Sequence, residues 1–134
     1  MNQFAKIAAN NKGRMKKIAQ QAYVVTIQKV NRRTPVDSGL FKNNWFTALN
    51  APSQQTTQRI GGTFGEPQSN AVDDAIGIQF DIGDTLFLTN SLPYAERLEF
   101  GWSAQSPEGM VRISAAEWSQ TVNKVIRLTQ WLTN

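Results

Sequence analysis

Neither cysteine nor histidine occurs among the 134 residues of this chain. The first absence removes disulfides, thiolate nucleophiles and thiolate metal ligands; the second removes the commonest general base and the commonest zinc ligand. What is left for catalysis is a carboxylate pair, a lysine nucleophile or a magnesium site held by oxygen atoms. Long hydrophobic runs are missing as well, and nothing approaches the ~20 apolar residues that a membrane span requires. The N-terminus carries no apolar stretch followed by a small-residue cleavage site, the pattern expected of a protein made in a cytoplasm. Acidic residues are missing from one end: residues 1–33 hold eight basic side chains (Lys6, Lys12, Arg14, Lys16, Lys17, Lys29, Arg32, Arg33) and no acid. The overall charge of +4 therefore conceals a positive end and a remainder that sums to −4, with eight acids against Arg97 alone between Gly61 and Val111. Opposed patches of this kind set register and encounter rate between copies more than they set affinity.

Present in ordinary amounts are apolar residues, at 40%, including four tryptophans. This length and composition suit one domain, residues 1–134, with a single core. From residue 2 to about 33, Phe4, Ile7, Ala8, Met15, Ile18, Ala19, Ala22, Val25 and Thr26 recur at helical spacing. Beyond Gln21 a second apolar line at Tyr23, Ile27 and Val30 requires burial on two sides, one against a sheet and the other plausible against a neighbouring subunit. Pro35 ends this helix at Thr34. A turn follows from Thr34 to Gly39, and Trp45 to Leu49 reads as a strand. Residues 50–72 are polar and rich in proline and glycine, a long loop expected to order only against a partner. The alternation of Ile76, Ile78, Phe80 and Ile82 predicts a strand, Asp81 to Asp84 a turn with glycine in the type II position, and Thr85 to Asn90 the returning strand. Pro93 to Phe100 reads as a short helix with Gly101 at its exit. Ser106, Pro107 and Glu108 predict the start of a long helix to about Leu132, with Val111, Ala115, Trp118, Val122, Val125, Ile126 and Leu132 as its core stripe. The expected fold is α+β: a small, mostly antiparallel sheet with long N-terminal and C-terminal helices packed on one face.

The segment from Leu92 to Arg112, LPYAERLEFGWSAQSPEGMVR, places aromatic, acidic and glycine residues on a connection between elements, where function concentrates. Together with the Thr34 to Gly39 turn (TPVDSG), Trp45 and the NSLPYAERLEFGWS block, it resembles the small neck or tail-completion proteins of long-tailed bacteriophages, which sit between capsid portal and tail tube. The resemblance runs from about Thr34 to Arg112. It implies a structural virion protein of the head-to-tail junction, made in the host cytoplasm. It further implies a homo-oligomeric ring, six- or twelve-fold, that joins capsid connector and tail and lines the DNA passage. The implied partners are portal or adaptor proteins, tail-tube or tail-terminator proteins, and DNA in transit, with no membrane.

The residues themselves suggest where contacts fall. Tyr94, Phe100 and Trp102 suit an interface as well as they suit capping a core. Glu96 and Glu99, three apart on one helix, suit a salt bridge within the subunit or to Arg32, Arg33 or Arg97 of a neighbour. The subunit interface is accordingly expected at Tyr94, Glu96, Arg97, Glu99, Trp102, Arg32 and Arg33. Lys12, Arg14, Lys16 and Lys17 crowd about one and a half helical turns and suit an acidic neighbour or phosphate, so a nucleic-acid-binding module is the alternative function. Asp73, Asp74, Asp81 and Asp84 are the one cluster able to bind a hard cation, but they lack calcium-loop spacing and suit turn and surface roles better. A carboxylate pair without an accompanying nucleophile points away from an enzyme. No catalytic residue, cofactor or metal is assigned.

Overall fold

In a computed structural model, residues 2–67 and 69–133 are described. The first element, helix α1 (Gln3–Arg33), opens on Asn2, whose Oδ1 accepts from the Ala5 amide at 2.8 Å, an N-cap bond. It closes at Thr34, where the extended backbone ahead of Pro35 ends the helical hydrogen bonding. A 3-10 turn (Lys42–Asn44) leads directly into strand β1 (Trp45–Leu49). Next come helix α2 (Ser69–Gly77), strand β2 (Leu86–Asn90), the short helix α3 (Ala95–Glu99), helix α4 (Val111–Ala116) and helix α5 (Trp118–Thr133).

The sheet has two strands, β1 antiparallel to β2, with Trp45 opposite Asn90 and Leu49 opposite Leu86. Against it pack the long N-terminal and C-terminal helices, the architecture expected from the sequence. The core gathers Ile27 and Val30 from α1, Phe41, Trp45 from β1, Ala75 from α2 and Met110, with Tyr23, Val24, Val72 and Leu88 packed around them. The second apolar line of α1, at Tyr23, Ile27 and Val30, thus belongs to the core of the same chain and is not left for a neighbour. The Trp45 indole donates to Thr34 Oγ1 at 2.9 Å, and that hydroxyl donates to the Val30 carbonyl, which ties the end of α1 to the start of the sheet.

Three expectations are corrected. The predicted strand at Ile76 to Ile82 does not form. Ile76 lies in the last turn of α2, which ends at Gly77, and the following residues run without a ladder, so β2 pairs with β1 instead of closing a hairpin. Helical spacing explains the change: Val72 and Ala75 fill the core from one face of α2, while Ile76 and Ile82 stay 57% and 50% exposed. The turn at Asp81 to Asp84 is present, with a 3.0 Å bond from the Asp84 amide to the Asp81 carbonyl and Gly83 at φ +101°.

Second, the last helix starts at Val111 rather than Pro107 and breaks at Glu117. Ser106 to Gly109 is a turn, closed by the Gly109 amide on the Ser106 carbonyl at 3.1 Å, and the Ser106 hydroxyl donates to the Arg33 carbonyl instead of capping a helix. The buried line of α4 and α5 is Ser114, Thr121, Val125 and Thr129, so Val111, Ala115 and Trp118 face outward; Trp118 is 40% exposed. Small polar groups are chosen there because α1 brings two cations: Lys29 Nζ lies 2.9 Å from Thr121 Oγ1, and Arg33 lies 2.9 Å from Ser114 Oγ. The Leu132 side chain lies outside the described residues.

Third, the polar loop after Asn50 is shorter than expected, because α2 begins at Ser69. Its middle is held within the chain rather than awaiting a partner, by side chains of the 3-10 turn.

Candidate interface surface and its supports

The turn from Thr34 to Gly39 and the elbow from Leu92 to Arg112, about sixty residues apart in sequence, meet in the fold. The Val36 amide donates to Gln105 Oε1 at 2.7 Å and Gln105 Nε2 donates back to the Val36 carbonyl at 3.1 Å, so one side chain pairs with the backbone as a strand would. Phe41 packs between Trp45, edge-on at a ring-centre distance of 5.8 Å, and Tyr94, tilted at 5.7 Å. Between turn and elbow lies an open cavity of about 480 Å³, lined among others by Pro35, Asp37, Phe41, Tyr94, Leu98 and Gln105.

The elbow is rigid for identifiable reasons. Helix α3 ends in two backbone bonds, Trp102 amide to Arg97 carbonyl and Gly101 amide to Leu98 carbonyl, both 3.2 Å. This is a Schellman ending with Gly101 in the left-handed position, at φ +89°. The next helix, α4, has no cap of its own at Met110. Glu99 supplies it: the carboxylate accepts from the amides of Met110, Val111 and Arg112 at 2.8 to 3.3 Å. A negative group at the positive end of a helix is stabilising, and here it joins two helices that are eleven residues apart. Gly109 allows the approach, since a Cβ there would stand 2.4 Å from the Glu99 carbonyl oxygen.

The proposed interface residues therefore divide. Trp102 is 72% exposed with the Arg97 guanidinium 5.1 Å from its ring centre, and Tyr94, Glu96 and Arg32 also reach the surface. Glu99 does not face outward: its side chain is 15% exposed and serves α4. Arg33 is likewise engaged internally, 2.5 Å from Glu117 Oε1, with Lys29 Nζ 3.8 Å from Oε2 of the same carboxylate. Contact with the Arg33 guanidinium holds the Glu117 carboxyl below the ordinary carboxylate range, against a smaller upward push from burial, and Lys29 adds to the lowering. Oε1 is enclosed, its charge met by the guanidinium as an ion-pair contact rather than by an aligned hydrogen bond.

Of the four basic residues singled out on α1, two find an acid within the same chain. Lys12 and Lys16 lie 4.0 and 3.8 Å from Asp81 Oδ1. The Asp81 carboxyl is held low first by the Ile82 amide and then by these two lysines; Asp84 is held low by the Asp81 amide and then by the Asn50 side chain. Both aspartates therefore act as turn acceptors. Among the described residues no group of three or more acidic side chains is placed to hold a metal ion.

Lys42, Asn43 and Asn44 form a site that reasoning from sequence missed. Asn44 Nδ2 donates to the Leu40 and Thr57 carbonyls, and its Oδ1 accepts from the Thr57 amide at 2.9 Å. Asn43 Nδ2 donates to the carbonyls of Gly39 and Gly61, and buried Lys42 donates to the Thr63 carbonyl at 2.6 Å. Burial lowers the Lys42 ammonium pKa, with the nearby Glu66 charge opposing the shift. These three side chains replace the ladder that residues 57–63 lack and clamp them as a strap. The strap crosses Gly39 closely enough that a Cβ there would meet the Gly61 carbonyl at 2.2 Å. The available signal was three consecutive polar side chains immediately before a strand, each able to reach backbone groups of another segment.

No family model, no curated protein and no solved structure matches the chain.

Proposed function

We propose that this chain is a structural subunit of a phage head-to-tail junction, assembling into a ring that joins capsid connector and tail around the DNA passage. The observation that carries the reading is the convergence of the two blocks on which the resemblance rests. TPVDSG and LPYAERLEFGWSAQSPEGMVR pack on each other through Val36, Gln105, Phe41 and Tyr94. Their acid and glycines serve to fix an elbow that leaves Trp102, Glu96 and Tyr94 at the surface. A hydrogen-bonded elbow that carries aromatic and charged groups suits contact between subunits better than turnover, because its best-buried carboxylate already receives three backbone amides.

The nucleic-acid reading keeps support from Lys6, Arg14 and Lys17, which have no acidic partner among the described residues. Asp81 competes with phosphate for Lys12 and Lys16, which weakens that reading. Imaging of purified particles carrying a labelled copy of the chain tests the proposal. A ring of label between head and tail is expected, with separated heads and tails accumulating when the chain is withheld. Particles that join and infect normally without it would reject the reading.

A further inference from the structure

On α1, residues 3–15 are exposed throughout, an arm that the packed body touches near its end through Lys12 and Asp81. Phe4, Ile7, Ala8, Met15 and Ile18 fall on one face of this arm, and Phe4 is 85% exposed. The same face, followed down the helix, is buried at Ala22, so the surface the body covers continues uncovered along the arm. The bases flank it on both edges: Lys12 and Lys16 on one, Arg14 and Lys17 on the other. Among the described residues only the first edge has an acid opposite, Asp81 of the connection between α2 and β2.

We infer that the occupant of this stripe is a second copy of the chain, contributing its own α2-to-β2 region. Between Arg59 and Arg97 the sequence holds six acids and no base. In that stretch Asp73, Asp74 and Asp84 are exposed, and so are Ile76 and Ile82, so the region offers apolar and acidic groups together. Within one subunit it already engages one basic edge of the arm, and in a neighbour it serves the other edge while covering Phe4, Ile7 and Met15. Two arms do not cover each other, because each carries five bases and no acid between residues 3 and 20. Duplex DNA would meet the bases and leave the three apolar side chains in water.

The inference rests on the assembly reading above and names its contact. Its test is molar mass by light scattering on the full chain, from dilute to concentrated protein. The parent chain is expected to self-associate, and the Phe4→Ser, Ile7→Ser, Met15→Ser variant to lose about tenfold or more in association constant with its circular dichroism and melting unchanged. Charge reversal gives a second arm. Arg14→Glu with Lys17→Glu, and Asp73→Lys with Asp74→Lys, are each expected to dissociate alone and to associate when mixed, since each supplies what the other lacks. A serine variant that assembles like the parent would remove the arm as the contact and leave assembly standing. A parent chain monomeric at every concentration, or one whose arm binds duplex DNA through Arg14 and Lys17 instead, would overturn the inference, while particle imaging decides the junction reading separately.

Discussion

Glu99 shows how one side chain decides whether a loop is a loop or a hinge. Its carboxylate replaces the missing cap of α4, so Glu99→Ala is expected to lower stability by about 1 to 2 kcal/mol, the range of a lost N-cap, and Glu99→Gln by less, because one acceptor oxygen remains. Urea unfolding of the three proteins checks the order. Glu117 has a different role, neutralising Arg33 and Lys29 where α1 meets α4 and α5. Its folded pKa is depressed, so the stability it contributes is fully present above the ordinary carboxylate value of about 4.3 and is lost as pH falls through the folded value. Unfolding midpoints measured between about pH 6 and pH 3 should therefore fall less steeply in Glu117→Gln than in the parent. At neutral pH that substitution is expected to cost about 1 to 2 kcal/mol, between the exposed and the buried ion-pair limits. Neither role was legible in the sequence. A glutamate three residues from another on a helix looks like a surface pair, and only the fold brings Met110 back to Glu99 or Arg33 across to Glu117.

At the scale of elements, what local chemistry controls was legible and what tertiary partners control was not. Trp45 to Leu49 and Leu86 to Asn90 read as strands from their aromatic and branched residues, and α1 from its spacing. Which strand pairs with which depends on α2, whose core face uses Val72 and Ala75 and so draws Ile76 into a helix, leaving β2 to find β1. The strap at residues 57–63 was the most opaque element, because its own sequence carries no apolar pattern. It is ordered by the side chains of Asn43, Asn44 and Lys42, which belong to another segment. Asn44→Ala leaves the Thr57 amide and carbonyl without these bonds, and releasing the strap frees the already exposed chain around Arg59 to enter a protease site. Limited digestion with trypsin is expected to cut after Arg59 several-fold faster in that variant than in the parent. Equal rates would mean that Asn43 and Lys42 hold the strap without Asn44.

The whole molecule is stabilised unevenly along a single helix. The C-terminal half of α1 is covered by the sheet, α2, α4 and α5, and carries Ile27, Val30 and the Lys29 and Arg33 contacts. The N-terminal half has two exposed ion pairs to Asp81 and, in its middle, Gly13, with nothing near where a side chain would stand. Exposed pairs of this kind contribute little, and a helix of this length in water is marginal without packing. The arm is therefore expected to open without the body. Amide hydrogen exchange should be fast from residue 3 to about residue 15 and approach the rate of global unfolding from Ala22 to Asn31. Gly13→Ala, which meets no obstacle and gains about 1 kcal/mol of helix propensity, should slow exchange in the arm roughly fivefold while leaving the amides of the buried half unchanged. Slowing across the whole helix would instead mean that arm and body unfold as one unit. A helix that is continuous in structure but divided in stability keeps its basic, apolar half available for capture by whatever covers it, and the divided exchange pattern is the direct measure of that availability.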